Sequence, residues 1–370
     1  MYKISSKFLK IILFLIFTFL WSIFVYLING EWLYFIPLLV ADILFFETIS
    51  WQFWRKKKKK EKKSKKGELR NWIEAILFAV VAATILRTFL IEAYTIPTSS
   101  MEKSMLIGDF LFVSKTSYGP RVPITPIAFP LVHHTLPFSK NKKSYSEAIK
   151  LPYHRMKGFG EVERNDCVVF NWPAEKLGRP VDKKENYVKR CVGIPGDKIE
   201  IINGALKVNS QPQEEPIGMK KQFIYKVKTT NTGLNPKILY DKFDITEGRR
   251  GGNPNEYNLF LTDNSSEGIQ KFNNVISVER NIDTNERNLE YIFPNNKSTN
   301  WNIDNFGPIV IPKNGSSIKL DSSNIDLYRD IIEIYESNLL NVVNNKIFIN
   351  DTLVSEYTFK MNYYWMMGDN

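Results

Sequence analysis

The chain has 370 residues, enough for one large or two smaller domains with membrane segments, and its 44% hydrophobic content fits a globular protein. Its formal net charge of +11 would suit a nucleic-acid partner, but Arg55–Lys66 alone holds ten basic residues and one acidic residue, a local charge of +9. Because only +2 remains elsewhere, the sequence argues against a nucleic-acid-binding face and favours a membrane-topology signal.

Three apolar segments precede the rest of the chain. Phe8–Ile28 is nearly continuous over about 20 residues, which is enough to cross a bilayer. A cleaved signal peptide is the alternative, but the run is too long and no small-x-small pattern follows it. Leu33–Trp54 is the second segment and is interrupted by Asp42 and Glu47. Residues 1–54 are therefore predicted to form a hairpin of two transmembrane helices.

The third apolar segment, Trp72–Ile91, is predicted to be a further transmembrane helix within residues 72–93. The positive-inside rule places the basic loop, residues 55–71, in the cytoplasm. Three crossings then put the N-terminus in the cytoplasm and everything from Tyr94 onward on the extracytoplasmic side.

Short strand-like runs separated by Pro and Gly begin at Tyr94 and predict a mainly β (α+β) domain. The clearest runs are Asp109–Pro120, Asn165–Pro173, Asn186–Asp197 and Lys198–Pro212. Within the last, Asn203-Gly204 predicts the turn of a β-hairpin.

The β-domain is predicted to occupy residues 94–212 and to resume at 345–370, with 213–344 as an inserted or capping subdomain. One helix is expected at Ser323–Val343, where Ser323 and Asp326 form a capping-box pattern. Its apolar stripe is Tyr328, Ile331, Ile332, Tyr335, Leu339 and Val342. Because an apolar strand leads into the final Gly-Asp-Asn, we expect the sequence to be truncated at its C-terminal end.

The cysteine and histidine positions give no metal-binding pattern. Cys167 and Cys191 show neither a CxxC motif nor metal-ligand spacing, and His133, His134 and His154 do not form a metal box. We therefore expect no metal and no other cofactor.

The stretch Tyr94–Leu106 presents Ser99 and Ser100 between a proline and a methionine. A serine hydroxyl needs a neighbouring base, and without a plausible His/Asp pair the candidate is Lys189. In a strand, Lys189 shares a face with Tyr187 and Cys191, and burial there would lower the pKa of its amine.

Four stretches together, in this order after membrane spans, resemble the bacterial type I signal peptidases. They are IPTSSMEKSML, RNDCVVFNWP, YVKRCVGIPGDKIEI and YYWMMGDN. The serine motif of that family is matched by Ser100 directly before Met101. Its lysine motif is matched by Tyr187, Lys189, Arg190, Gly193, Pro195, Gly196 and Asp197. The likeness covers neither the first two spans nor the inserted region.

The resemblance implies Ser100 as nucleophile and Lys189 as general base. It implies an oxyanion hole formed by the backbone N–H of Ser100 and the Thr98 hydroxyl, each donor being worth about 3 kcal/mol. Shallow substrate pockets for small residues at −1 and −3 would be lined by Tyr94, Ile96, Pro97, Met101 and Tyr187. Asp369 would be a structural acid paired with Arg190.

The sequence departs from the family pattern at two places. Thr98-Ser99-Ser100 stands where many members have Ser-Gly-Ser, which keeps a hydroxyl at the oxyanion position. The last family motif continues with Arg, Ser, Asp and Arg, all of which would lie beyond Asn370. Cys167 and Cys191 are expected to be buried free thiols, although an extracytoplasmic domain would permit a disulfide.

The sequence therefore predicts a membrane-bound serine endopeptidase at the outer face of the bacterial cytoplasmic membrane. Its partners would be the lipid bilayer and signal-peptide-bearing preproteins emerging from the secretion translocon. One alternative is a catalytically incomplete, membrane-anchored β-domain, either a degenerate paralogue or a binding module. The other is a self-cleaving Ser-Lys regulator, which is disfavoured because such proteins carry a DNA-binding helical domain.

Overall fold

A computed structural model describes residues 14–19, 21–22, 25, 36–42, 65–139, 141–283, 292–294 and 299–370. The chain divides into two compact units. Unit 1 comprises Met1–Tyr94, Phe110–Glu161 and Lys176–Lys184, and unit 2 comprises Thr95–Asp109, Val162–Glu175 and Glu185–Asn370.

The long helix of unit 1 is α2 (Lys65–Phe89), preceded by the short helix α1 (Ile36–Ala41). Among the described residues, only the Leu69–Phe89 part of α2 is long and apolar enough to cross a membrane, and none of its most apolar stretch is buried. Most of the first two predicted spans lies outside the described residues, so three transmembrane helices remain a prediction.

Both ends of α2 differ from the sequence-based expectation. The helix begins at Lys65 and therefore takes in residues 65–71 of the predicted loop. An ion pair between Arg70 and Glu74, 2.7 Å long and four residues apart, supports this added turn. At the other end, Ile91 lies in strand β1 rather than in the helix.

The remainder of unit 1 has little regular structure. Strands β1 (Ile91–Thr95) and β2 (Phe110–Ser114) form a two-stranded sheet. Isolated antiparallel bridges join Arg121 to Arg155, Ala128 to Tyr145 and Thr135 to Lys143.

Residues 167–212 supply most of the strands of two antiparallel sheets in unit 2. The first has the order β18-β4-β3, formed by β3 (Cys167–Asn171), β4 (Asn186–Gly193) and β18 (Trp365–Met367). The second has the order β12-β5-β6-β7, formed by β5 (Lys198–Ile202), β6 (Ala205–Val208), β7 (Gln211–Pro212) and β12 (Phe306–Val310). The predicted hairpin is confirmed, because β5 pairs with β6 and Asn203 and Gly204 adopt φ values of 50° and 73°.

A third sheet of unit 2 has its own core. Its order is β11-β8-β10-β9, from β8 (Phe223–Thr229), β9 (Gly248–Arg250), β10 (Glu256–Leu261) and β11 (Val275–Arg280). Helices α3 (Pro236–Phe243) and α4 (Asp263–Gln270) belong to the same region. The buried residues of this core are Tyr225, Val227, Leu239, Ile245, Leu259, Leu261 and Ile269.

The C-terminal part corrects two expectations. Helix α5 (Ile325–Asp330) continues as a π-helical turn, Ile331–Tyr335, and the predicted Ser323–Val343 helix stops there. Residues Leu340–Val343 form strand β14 instead, because Asn344 and Asn345 take positive φ and turn the chain into an antiparallel partner.

The predicted capping box is also wrong. Asn324 occupies the N-cap position of α5 without a side-chain cap, and the Asp321 carboxylate accepts the N–H groups of Ser323 and Asn324. The apolar stripe is buried only in part: Tyr328 and Ile332 are buried, whereas Leu339 is 56% exposed.

The predicted 213–344 subdomain is not one structural unit. Strand β12 pairs with β5, so it belongs to the second sheet. Strand β14 pairs across the proposed boundary with β15 (Lys346–Ile349), which in turn pairs with β16 (Thr352–Val354). Farther along, β13 (Ser317–Lys319) pairs with β17 (Glu356–Thr358).

The buried carboxylate of Asp197 stabilises the turn that precedes strand β5. Asp197 is 5% exposed and accepts hydrogen bonds from Arg164 at 2.8 and 2.9 Å, from the Ile194 N–H at 3.0 Å and from Asn209 at 2.8 Å. Burial opposes ionisation, but these donors outweigh it and lower the pKa of Asp197.

We expect Asp197→Asn to lower the free energy of unfolding by about 2 kcal/mol at neutral pH, since charge-assisted hydrogen bonds are lost. A folded-state pKa below the unfolded value gives stability above the unfolded pKa, which disappears as pH falls through the folded pKa. Denaturant unfolding should therefore show the two proteins converging in acid. Asp241→Asn, at an exposed position of α3, is the matched control. An unchanged gap in acid would contradict the assignment.

Candidate active site

Ser100 lies on a short, well-anchored turn. The chain arrives extended at Thr98 (φ −135°, ψ 156°) and then forms a single 3-10 turn over Ser99–Met101. The N–H of Glu102 donates to the Ser99 carbonyl at 2.7 Å. Met101 is fully buried and Ile96 is 3% exposed, so apolar contacts on both sides hold the turn in place.

Lys189 meets this turn from β4. It stands opposite Val168 of β3, and its ammonium Nζ donates a hydrogen bond to Ser100 Oγ. Burial lowers the pKa of the Lys189 amine, while the charge of Asp369 acts in the opposite direction and only partly offsets it. The serine hydroxyl is therefore in contact with an amine that loses its proton more readily than an exposed lysine.

Arg190, the next residue, projects from β4 into a buried ion pair. Its guanidinium donates to both carboxylate oxygens of Asp369, at 2.8 and 2.6 Å, and to the Asn165 carbonyl at 2.8 Å. The side chains of Arg190 and Asp369 are only 7% and 1% exposed. Such a pair is costly to bury, but breaking it would leave one buried charge uncompensated.

The residues after β18 bring this ion pair to the serine turn. Ser104 Oγ donates to Asp369 Oδ2 at 2.5 Å. Gly368 lies so close to the turn that a Cβ atom there would come within 2.2 Å of the Ser100 carbonyl oxygen, so only glycine fits. Asn370 donates to the Ser99 carbonyl at 3.2 Å.

The β8–β11 region also contacts the serine turn. Lys103, in a left-handed conformation at φ 69°, places its ammonium 2.8 Å from a carboxylate oxygen of Asp244 at the end of α3. Glu247 accepts a hydrogen bond from Asn370 at 3.2 Å. Asp244 and Glu247 were not predicted as site residues, because they lie more than 100 residues from Ser100 and match no motif.

The residues predicted to line substrate pockets differ in their surroundings. Thr98 and Pro97 are exposed, whereas Ile96 and Met101 are buried beneath the turn. Tyr187 is 37% exposed and stacks on Trp172, with 5.0 Å between the two ring centres. Trp172 was not among the site residues predicted from the sequence. Tyr94 belongs to unit 1, where its hydroxyl donates to Glu92 at 2.6 Å.

The cysteines are free thiols, as expected, but only Cys191 is buried as predicted, whereas Cys167 is exposed. Cys167 stands opposite Arg190 in the β3–β4 ladder, while Cys191 is the next residue along β4, so the two side chains project to opposite faces. Burial raises the pKa of the Cys191 thiol to about 11, which keeps it protonated at neutral pH. Among the described residues, no three His, Cys, Asp or Glu side chains are grouped closely enough to hold a metal ion.

We expect Asp369→Asn to lower the free energy of unfolding by about 3 kcal/mol, because the Arg190 guanidinium would lose its buried counter-charge. Asp351→Asn, an exposed position in the β15–β16 turn, should change it by less than about 0.5 kcal/mol. Urea unfolding of the detergent-solubilised protein measures both changes. Equal stability of the Asp369 variant and the parent would show that the ion pair does not hold this region together.

Part of the chain is similar to a known family and to known proteins. Residues 69–249 match the model of the family described as signal peptidase, peptidase S26. The Signal peptidase I of Rickettsia canadensis (strain McKiel) is 30% identical over 149 residues, which are 40% of this chain and 46% of that protein. The Signal peptidase I of Pseudomonas aeruginosa is 29% identical over 160 residues, which are 41% and 43% of the two chains. The matches thus span less than half the length of these relatives. The matched residues 69–249 include both Ser100 and Lys189, so the similarity to the signal peptidase family, peptidase S26, covers the candidate nucleophile and base.

Proposed function

We propose that this protein is a membrane-anchored serine endopeptidase that removes signal peptides from exported preproteins. The observation that carries the proposal is the hydrogen bond between Lys189 Nζ and Ser100 Oγ. The family and the two relatives named Signal peptidase I support the same chemistry.

In the proposed reaction, the neutral amine of Lys189 accepts the proton of the Ser100 hydroxyl as Oγ attacks the scissile carbonyl. The ammonium then gives this proton to the leaving amine of the mature protein, and an acyl-enzyme remains on Ser100. Attack of water on the ester, with Lys189 again as base, releases the signal peptide and restores the serine. The lowered pKa of Lys189 supports this role because it increases the neutral fraction at a given pH.

The oxyanion of the tetrahedral intermediate is proposed to bind the Ser100 N–H and the Thr98 hydroxyl. Thr98 is exposed and extended directly before the turn, so its hydroxyl is accessible to a bound substrate. Pro97 and Tyr187, which are exposed, are proposed to line shallow pockets for small side chains, and the buried Ile96 and Met101 are proposed to support these pockets from beneath.

Helix α2 is proposed to anchor the chain, with the basic run Arg55–Lys66 on the cytoplasmic side and residues after Tyr94 outside. Ser100 follows Phe89 by only eleven residues, so an anchored α2 keeps the nucleophile close to the bilayer. Signal peptides leaving the translocon would meet it there. A non-enzymatic β-domain is less well supported, because the relatives are named as peptidases and the Ser100–Lys189 contact is present.

We expect Ser100→Ala and Lys189→Ala each to reduce preprotein cleavage by the full-length protein at least about a thousandfold, since nucleophile and base act as a unit. Ser99→Ala should still cleave, because it is the Ser99 carbonyl, not its hydroxyl, that contacts Asn370. Lys346→Ala, at an exposed strand position of β15, is the matched lysine control. Cleavage at the parental rate by either active-site variant would rule out the dyad.

The pH dependence of cleavage gives a second test. Only neutral Lys189 can act as base, so kcat/KM should rise with pH and level off above the pKa of this amine. Because burial lowers that pKa, the midpoint of the rise should fall below 10.5, the ordinary lysine value. A rate that does not rise with pH at any point below 10.5, or a rise whose midpoint lies at or above 10.5, would contradict the role of Lys189.

A further inference from the structure

An exposed pair of aromatic side chains lies beside the candidate nucleophile and base in unit 2. Trp172 and Tyr187 stack, with 5.0 Å between the ring centres and 24° between the ring planes. They are 41% and 37% exposed, so a large part of each ring is accessible to a bound molecule. The proposed reaction uses Tyr187 as a pocket residue but gives no role to Trp172.

The position of Tyr187 in β4 brings this aromatic pair close to Ser100. Tyr187 and Lys189 are two residues apart in the strand, so their side chains project from the same face and start about 7 Å from each other. Lys189 Nζ donates a hydrogen bond to Ser100 Oγ. The Tyr187 ring therefore stands next to the amine that contacts the nucleophile, where side chains close to the scissile bond would lie.

The orientation of the Tyr187 ring depends on Trp172. Within the described residues, the Tyr187 hydroxyl has no hydrogen-bond partner, and the ring makes its one aromatic contact with Trp172. A side chain that projects from a strand has more than one favourable χ1 rotamer. Stacking on a neighbouring ring favours the rotamer that preserves the contact.

Trp172 is itself anchored through its backbone, directly after β3. Its N–H donates to the Glu185 carbonyl at 2.8 Å, and its carbonyl accepts from the Glu175 N–H at 3.3 Å. One residue earlier, Asn171 Nδ2 donates to Asn186 Oδ1 across the β3–β4 ladder at 2.9 Å. These bonds fix the main chain of Trp172 against β4, so the indole starts from a defined position beside the phenol ring.

We propose that Trp172 is a positioning residue that holds the Tyr187 ring as one wall of the pockets for small side chains at −1 and −3. With the phenol ring held against the indole, a substrate side chain larger than alanine meets the ring. Without the indole, the ring is free to turn away, and a larger side chain fits. This inference rests on the proposed signal-peptide cleavage, because it concerns the specificity of that reaction.

Cleavage of matched preproteins by the full-length protein tests this role. The substrates carry Ala or Val at −1, or Ala or Val at −3, and kcat/KM is measured for each. The parent should prefer Ala at both positions. Trp172→Ala should reduce the Ala-to-Val preference about fivefold at one or both positions, which is the effect of losing one aromatic pair. Trp172→Phe retains a stacking ring and should keep the preference within about twofold of the parent value.

The ratio of the two rates separates positioning from stability, because a loss of folded protein lowers the cleavage of both substrates equally. Tyr240→Ala is the matched control, since it removes a ring that is 60% exposed on α3, and it should leave the preference unchanged. If Trp172→Ala does not fold, Trp172→Leu replaces it. This variant keeps apolar volume without a stacking ring, and the same change in preference is expected.

A double-mutant cycle tests whether Trp172 acts through Tyr187. Tyr187→Ala should relax the preference to a similar extent, and adding Trp172→Ala to it should change the preference little further. Fully additive effects, or a parental preference of the folded Trp172 variant at both positions, would overturn the inference. A parent that cleaves no preprotein would contradict the proposed function and the inference together, so the two failures are distinguishable.

Discussion

The buried ion pair between Arg190 and Asp369 is the interaction on which the candidate active site depends. It joins the middle of β4 to the residues after β18, two parts of the chain that are 179 positions apart. Through Ser104 it also holds the turn that carries Ser100. Gly368 and Asn370, on either side of the acid, contact the carbonyls of Ser100 and Ser99. The geometry of the serine turn is thus fixed by a charge pair on the opposite side of β4 from Lys189.

Because side chains alternate along β4, the consecutive residues Lys189 and Arg190 project from opposite faces of the strand and have different partners. Arg190 is fully compensated by Asp369, while Lys189 forms no ion pair with a carboxylate in the part of the chain that the structure describes and has a lowered pKa. An amine whose folded-state pKa is lowered binds its proton less well in the folded than in the unfolded chain. Stability therefore rises with pH between the two pKa values, and at neutral pH Lys189 destabilises the fold. The surrounding contacts of the serine turn offset this cost, which is a common feature of catalytic groups.

Local patterns predicted much of the fold. Strands β3 to β6 and the Asn203–Gly204 turn follow from alternation and turn chemistry, which depend only on neighbouring residues. The Ser323–Val343 helix was wrong because its apolar spacing suits a helix, whereas Asn344 and Asn345 turn Leu340–Val343 back onto β15. A long-range pairing overrode a local periodicity there.

The site shows the same limit. Ser100, Lys189 and Arg190 lie in short motifs, so their types and spacing are visible in the sequence. Asp244 and Glu247 reach the site only through packing of distant segments, and no local pattern distinguishes them from surface residues. Trp172 lies within the RNDCVVFNWP stretch, but its stacking on Tyr187 depends on the pairing of β3 with β4.

The proposed mechanism depends most directly on the pKa of the Lys189 amine. Lysine with an isotope label at the terminal carbon and nitrogen, introduced into the full-length protein, allows the Lys189 amine to be titrated by NMR, with the Lys189→Ala protein identifying its signal. We predict a pKa below 10.5 for this amine, because it is partly buried against Ser100 and the charge of Asp369 only partly offsets that burial. A titration midpoint at or above 10.5 would mean that Lys189 stays charged and cannot serve as the base for Ser100.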